Sequence, residues 1–202
     1  MSERSFSAAD IAYVHRNYHT LEALCAGRAE TPDEVRGLIA SGLLPQPSYV
    51  LDDGSAMFPA DYFRLPDEAG GPKRLRERFA ERFRAAGGQS DDLEEEWQGY
   101  MSGTYGVCLK EVVPETMVRK SALVDSLSEL LARPRPGDQL WRSQLYRQVE
   151  ELDALERDFS PHYDRSDRFE QLPSRDRLII AARERYPDVF AAGKETAVRS
   201  RA

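Results

Sequence analysis

The stretch SGLLPQPSYVLDDGSAMFPADYF, residues 41–63, has the pattern of a helix end followed by a β-hairpin. Tyr49 and Leu51 in its first half and Met57 in its second half are apolar positions for two short strands. Between them, Asp53-Gly54 is one of the dipeptides that two-residue hairpin turns prefer. The closing FPADYF predicts one further helical turn. The sequence therefore predicts a small hairpin between helical segments.

Three helix-start signals precede the hairpin. Ser7, with Asp10 three residues later, has the form of a capping box and predicts a first helix. Thr20 begins a short second helix. Thr31 followed by Pro32 begins a third, because proline is favoured at the first helical position.

Beyond the hairpin, apolar residues recur mainly with helical spacing. The stretch LPDEAGGP, residues 65–72, combines two prolines with a Gly-Gly pair and predicts a domain boundary. Leu75, Phe79 and Phe83 then form one helical face. The stretch YGVCLKEVVPE, residues 105–115, is apolar and predicts an extended or loop segment before the next helix.

Two helices are predicted near the C-terminus. Ser174 is expected to cap the last helix. The apolar face of the longer helix consists of Trp141, Leu145, Val149, Leu152, Leu155 and Phe159, and that of the last helix includes Leu178, Ile179 and Ala182.

Composition favours a soluble protein in a reducing compartment. No apolar run approaches the about 18 residues that span a membrane, and the N-terminal residues lack the apolar core of a signal peptide. The two cysteines, Cys25 and Cys108, are too few for a disulfide framework. We therefore expect a cytoplasmic protein without a membrane partner.

Charge argues against nucleic-acid binding. The whole chain carries a net charge of −7. Residues 1–66 hold five arginines against nine acidic residues, a net charge of −4. Because cations that neutralise phosphates supply most of the non-specific affinity for DNA, we do not expect nucleic acid as a partner.

Residues 20–63 resemble the winged helix-turn-helix of the MerR class, most specifically at the passage from helix to hairpin. The resemblance implies a recognition helix for the major groove and a wing along the DNA backbone. The expected base-reading positions hold Pro32, Asp33, Glu34 and a single cation, Arg36. A MerR-like DNA-binding transcriptional regulator is therefore the alternative hypothesis.

The predicted fold class is mainly α. A small winged helix-turn-helix-like module with a short β-hairpin is expected over residues 1–66. An all-helical domain follows over residues 67–190, and a frayed tail over residues 191–202.

The rest of the chain resembles a bacterial family of unknown function associated with natural-product biosynthesis. Three stretches carry the resemblance: EWQGYMSGTYGVCLKEVVPETMVRK, ALERDFSPHYD and SRDRLIIAARERYP. It implies an auxiliary, non-catalytic subunit that binds a biosynthetic enzyme as a hetero-oligomer, including the companion of an aziridine-forming enzyme. No cofactor is expected.

The stretch GYMSGTYGVCLK, residues 99–110, supplies the catalytic candidates Tyr100 and Cys108. A nucleophilic Cys108 needs a base, and His162 is the only histidine in the second half of the chain. These residues define a second alternative, a stand-alone enzyme. A close-packed helix junction is favoured over it, because glycines let backbones approach closely.

The loop FSPHYDRSDRF, residues 159–169, is rich in polar residues, which in ordered loops are often functional. The alternative is that they cap the long helix and fasten the last one through local backbone bonds. The candidate partner- or ligand-binding residues are Arg36, Tyr49, Asp52, Tyr105, Asp164 and Arg165.

Two further patterns favour structural interpretations. His15 and His19 share a helical face, and Cys25 is near them in sequence. A metal site needs further ligands, so no metal site is predicted here. The stretch KRLRERFAERFR, residues 73–84, carries six cations and two acids, and is expected to pair with nearby acids as a solvated helix face.

Overall fold

The structure, a computed structural model, describes residues 5–165 and 172–191. The protein is mainly helical, with one two-stranded antiparallel sheet in the described residues. The chain divides into two compact units. Unit 1 comprises Met1–Val118 and Arg157–Arg168, and unit 2 comprises Arg119–Glu156 and Phe169–Ala202.

The N-terminal helices of unit 1 begin where the capping signals predict. Ser7 caps α1 with Asp10 in a capping box, Thr20 caps α2, and Thr31 caps α3 with Pro32 at its first position. The helices are α1 Ala8–Asn17, α2 Leu21–Leu24 and α3 Pro32–Ala40.

The hairpin that follows is also confirmed, but its predicted two-residue turn is wrong, because the Leu51 N–H donates to the Ser55 carbonyl at 2.9 Å and leaves Asp52, Asp53 and Gly54 in the loop. Strands β1 (Tyr49–Val50) and β2 (Ala56–Met57) pair antiparallel, with Tyr49 opposite Met57. Gly54 lies in the turn with φ of +83°, a backbone conformation that glycine adopts without steric cost.

Among the described residues of unit 1, four further α-helices precede α8, and a short 3-10 helix, Pro72–Arg74, lies between the first two. The four α-helices are α4 Arg64–Glu68, α5 Leu75–Ala85, α6 Leu93–Met101 and α7 Thr104–Cys108. The predicted face of α5 is confirmed, since Leu75, Phe79 and Phe83 are all buried.

The prediction of an extended or loop segment over residues 105–115 is wrong at its start. Residues 105–108 belong to α7, whose Gly106 and Val107 are buried. Gly103, with φ of +76°, turns the chain from α6 into α7. A short apolar run does not distinguish a buried helix from a buried strand, because periodicity needs more residues than this.

Unit 2 is built from helices. Helix α8 (Pro114–Ala132) enters it, and α9 (Gln139–Leu155) follows. The indole N–H of Trp141 donates a hydrogen bond to the Leu130 carbonyl at 3.2 Å. The buried core consists of Leu123, Leu127, Trp141, Leu145, Val149, Leu152, Leu178, Ile179, Ala182, Val189 and Phe190.

The long helix ends earlier than its apolar spacing predicts. Glu156 has extended backbone angles, so α9 stops at Leu155, before Phe159. The predicted cap at Ser174 is also wrong, because its side chain makes no capping bond there. The last helix instead begins with a π-helical turn, Arg175–Ile180, and continues as α10 (Ala181–Arg185).

Unit 1 includes residues on both sides of the boundary predicted at 65–72. The division into domains 1–66 and 67–190 stays a prediction, and most of the expected tail at 191–202 lies outside the described residues. Among the described helices, none combines the length and the apolar character needed to span a bilayer.

Candidate functional site

An open groove in unit 1 separates the β-hairpin from α2 and α3. It encloses about 460 Å³. Thr20, Leu21, Glu22, Arg36, Ile39, Ala40, Gln46, Pro47, Gly54, Ser55, Ala56 and Phe58 line it. Arg36 is the one predicted binding residue among them.

Local sequence signals position both walls of the groove. The Thr31 cap and its capping-box partner Glu34 fix the start of α3, which carries Arg36, Ile39 and Ala40 on the groove side. The opposite wall is β2, held in place where Phe58 exchanges two backbone hydrogen bonds with His19, both of 2.8 Å.

The charged side chains at the groove form an ion-paired group on α2 and α3. The Arg36 guanidinium is hydrogen-bonded to Glu22 and, at 2.7 Å, to Asp33. These two carboxylates raise the pKa of Arg36. A backbone hydrogen bond at Glu22 and the contact with Arg36 lower the pKa of that carboxyl. Among the described residues, Arg36 is the one cation that lines the groove, and it is paired with two acids.

The predicted binding residues Tyr49 and Asp164 come together in the interior of unit 1 rather than at its surface. The Tyr49 hydroxyl donates to Asp164 Oδ2 at 2.6 Å, and the Ser160 N–H donates to the same oxygen at 2.8 Å. Burial is the main cause of a strongly raised pKa for Tyr49. Asp164 is 1% exposed, so this pair contributes to the fold.

Asp10 anchors the same loop from the N-terminal side. Besides the Ser7 N–H and hydroxyl, it accepts the backbone N–H groups of His162 (2.9 Å) and Tyr163 (3.2 Å). Burial alone raises the pKa of the Asp10 carboxyl, but these donors outweigh it and the pKa lies below its usual value. We call the Asp10 and Asp164 contacts with residues 160–164 the loop latch.

The other predicted binding residues are divided between loop and hairpin. Arg165 Nη1 donates to the Ser160 carbonyl at 2.6 Å, beside the loop latch. Asp52, next to the hairpin turn, accepts the Phe6 N–H at 3.2 Å. The Tyr105 hydroxyl donates to Glu96.

Within the described residues, the three catalytic candidates do not form a common site. Cys108 is buried, and its thiol lies 3.6 Å from the Tyr105 carbonyl. Tyr100 is 4% exposed, and burial raises its pKa. His162 is exposed instead, with Nδ1 at 3.2 Å from the Ser7 hydroxyl. No described hydrogen bond joins any two of the three residues.

Glycines allow a close backbone approach at the α6–α7 junction. A Cβ on Gly103 would lie 2.4 Å from the Gln46 carbonyl and 2.7 Å from that of Pro47. A Cβ on Gly106 would lie 2.1 Å from the Ser48 hydroxyl. This geometry accords with a close-packed helix junction in the GYMSGTYGVCLK stretch.

A buried polar cluster in unit 2 was missed by sequence reasoning. Glu156 is 0% exposed and accepts a hydrogen bond from Ser174, while Lys120 Nζ lies 3.2 Å from the same oxygen. Glu156 follows Val149 and Leu152 with helical spacing, and so lies on the continuation of the apolar face of α9. This position is the sequence signal that indicates burial of Glu156. Because Glu156 and Ser174 are buried and Lys120 is mostly buried, the cluster holds helices together rather than forming an open ligand site.

No described group of three or more His, Cys, Asp or Glu side chains is arranged to hold a metal ion. The prediction that His15 and His19 share a helical face is wrong, because α1 ends at Asn17 and the His19 backbone pairs with Phe58. The cations of α5 pair with acids as expected, for example Arg76 with Glu94 at 2.5 Å.

The model of one protein family, a family of unknown function (DUF6058), matches residues 74–187. The chain belongs to this family. No curated protein and no solved structure matches the chain. The match contains Cys108, Glu156 and the loop latch residue Asp164, whereas the groove lies in the N-terminal residues before it.

Proposed function

We propose that this protein is an auxiliary, protein-binding subunit of a natural-product biosynthetic enzyme system, and that the groove binds its partner enzyme. The proposal rests on the difference in solvent exposure between the groove and the catalytic candidates. The groove is open to solvent, whereas Cys108 and Tyr100, two of the three catalytic candidates, are buried. A surface that is concave, partly apolar and rimmed by charges is suited to binding a segment of another protein.

The arrangement of α2, α3 and the hairpin supports a winged helix-turn-helix-like module as part of the proposal. Its charge supports protein rather than DNA as the ligand. Asp33 and Glu34 occupy the first turn of α3, where phosphates would approach, and Arg36 is already paired. A protein that neutralises no phosphates lacks the main source of affinity for DNA.

The biosynthetic setting rests on the resemblance of residues 96–187 to a natural-product family. The partner is accordingly a biosynthetic enzyme, and an aziridine-forming enzyme is the first to try in co-expression. Binding to the folded partner should also raise the partner's thermal stability, since a ligand of the native state stabilises it.

The test is purification of the tagged full-length chain at modest salt from its natural host, followed by native mass measurement. We expect a stoichiometric complex with a second protein. The variant Ala40→Arg, which places a cation in the groove, should weaken the complex at least tenfold. Ala85→Arg, at an exposed position of α5, makes the same charge change outside the groove and should leave the complex intact.

Two outcomes would overturn the proposal. A homodimer that retains a promoter fragment, with affinity falling steeply as salt rises, would establish the regulator instead. A monomer that turns over a substrate and loses turnover in a folded Cys108→Ala variant would establish an enzyme.

A further inference from the structure

The outer edge of β2 faces the groove with backbone groups that no strand of the described residues covers. Phe58 bonds to His19 on this edge, and the pairing then stops, because the chain turns at Thr20 into α2. Ala56, two residues before Phe58, directs its N–H and carbonyl to the same side, since strand orientation repeats every second residue. Ala56 lines the groove and is only partly buried.

The ladder between β1 and β2 leads to the same conclusion. The Leu51 N–H donates to the Ser55 carbonyl at 2.9 Å, which makes these two residues a hydrogen-bonded pair. Hydrogen-bonded and non-bonded pairs alternate in an antiparallel ladder, so the next pair, Val50 and Ala56, is non-bonded. Within the described residues, no hydrogen bond to the N–H or carbonyl of Ala56 is made on the groove side.

The surroundings of this edge define what it can bind. Ile39, Ala40 and Pro47 provide apolar contacts for alternate side chains of an extended segment. Glu22 lines the groove, and its charge together with that of Asp33 exceeds the single charge of Arg36. An acidic rim of this kind attracts a segment that carries lysine or arginine.

We propose that the groove binds an extended, lysine- or arginine-bearing segment of a partner protein, which adds as a third strand to β2 at Ala56. Main-chain hydrogen bonds to Ala56 supply affinity, and the apolar wall and Glu22 select alternate side chains. This inference rests on the proposed function and specifies the chemistry of the partner segment.

The test is an NMR titration of the 15N-labelled full-length chain with a capped hexapeptide of alternating lysine and valine. We expect saturable shifts at Ala56 and slower hydrogen exchange of its amide. Ala56→Pro removes the N–H that faces the groove and should weaken binding about tenfold, the effect of losing a hydrogen bond of roughly 1.4 kcal/mol.

Val50→Pro is the matched control. Val50 lies opposite Ala56, is 54% exposed, and directs its N–H to the other edge of the hairpin, where a proline is tolerated. It should bind the peptide within twofold of the unchanged protein. A second control changes the peptide and leaves the protein unchanged. Methylation of one alternate set of peptide backbone nitrogens, the set that would pair with Ala56, should abolish binding. Methylation of the other set should not.

The inference is overturned if Ala56→Pro and Val50→Pro weaken the peptide equally, or if the methylated peptide binds unchanged. It is also overturned if a glutamate–valine peptide binds as well, or if a duplex DNA or a second copy of this chain produces the Ala56 shifts instead. Failure of the inference is distinct from failure of the proposed function. In that case the native complex with a partner enzyme persists in Ala56→Pro.

Discussion

The loop latch and the groove both contain residues that sequence reasoning assigned to ligand binding, but they use them differently. In the loop latch, Asp164 is 1% exposed and accepts the Tyr49 hydroxyl and the Ser160 N–H. In the groove, the side chain of Arg36 is 51% exposed and pairs only with exposed acids. Polar side chains are thus committed to the fold where they are buried, and remain accessible to a ligand where they are exposed.

The difference has an energetic basis. A buried carboxylate that lost its donors would pay the full cost of desolvation, so changes in the loop latch should alter stability. An exposed ion pair contributes little to stability, so changes in the groove should alter binding alone.

The largest effect is expected for Gly103→Ala, which perturbs the segment facing the hairpin. Its φ of +76° is strained for alanine, and the new Cβ would meet two backbone carbonyls. We expect a loss of about 3 kcal/mol or more in the free energy of unfolding, measured by urea denaturation. Gly37→Ala in α3, where nothing lies within 4 Å, should instead stabilise by about 0.5–1 kcal/mol. Equal effects of the two would refute the close approach at Gly103.

The second test replaces Asp10, which holds the loop latch at its N-terminal side. Asp10→Asn should cost about 2–3 kcal/mol of unfolding free energy, because the group that accepts from Ser7, His162 and Tyr163 loses its charge and one of its two acceptor oxygens. Urea midpoints at neutral pH measure the change. A shift no larger than that of an exposed surface substitution would place Asp10 outside the latch.

The pH dependence of stability sharpens the same point. The folded pKa of Asp10 lies below its ordinary value, so its contribution is complete above that value and is lost as pH falls through the lowered pKa. The acid-induced fall in stability should therefore be shallower in Asp10→Asn than in the unchanged chain. If the unfolding free energy falls equally steeply with decreasing pH in the two proteins, this assignment is wrong.

A smaller effect is expected for Tyr49→Phe, which keeps the ring but removes the donor to Asp164. We expect a loss of about 1–2 kcal/mol in unfolding free energy. The control is Tyr186→Phe, because the Tyr186 hydroxyl is buried without a hydrogen-bond partner among the described residues. Its removal should be neutral or stabilising. If both variants lose the same stability, the Tyr49–Asp164 bond contributes nothing of its own.

The smallest effect on stability is expected in the groove. Arg36→Ala should leave the thermal midpoint unchanged, because its partners are exposed. It should also leave Glu22 unpaired and tighten binding of a cationic peptide a few-fold, measured by fluorescence anisotropy. A lowered midpoint, or weakened peptide binding, would erase the distinction between groove and loop latch.

Local signals in the sequence were enough for the elements that frame the groove. Ser7, Thr20 and Thr31 cap helices where predicted, and the hairpin forms where predicted with Gly54 in its loop, although that loop has three residues rather than two. These features depend on residues within a few positions of each other, where capping and turn chemistry act without help from the rest of the chain. The helical character of the chain follows from periodicity in the same way.

Other features were decided only by tertiary structure. Residues 105–108 became helical, and Ser174 took Glu156 as a partner instead of capping a helix. Tyr49 and Asp164 met although they lie 115 residues apart.

Sequence alone determined the helical class, the caps, the hairpin and the acidic charge of the N-terminal residues. The fold decided which polar groups were buried and which remained on the groove. The physical reason is that burial depends on contacts between residues distant in sequence, whereas caps and turns are satisfied by their neighbours.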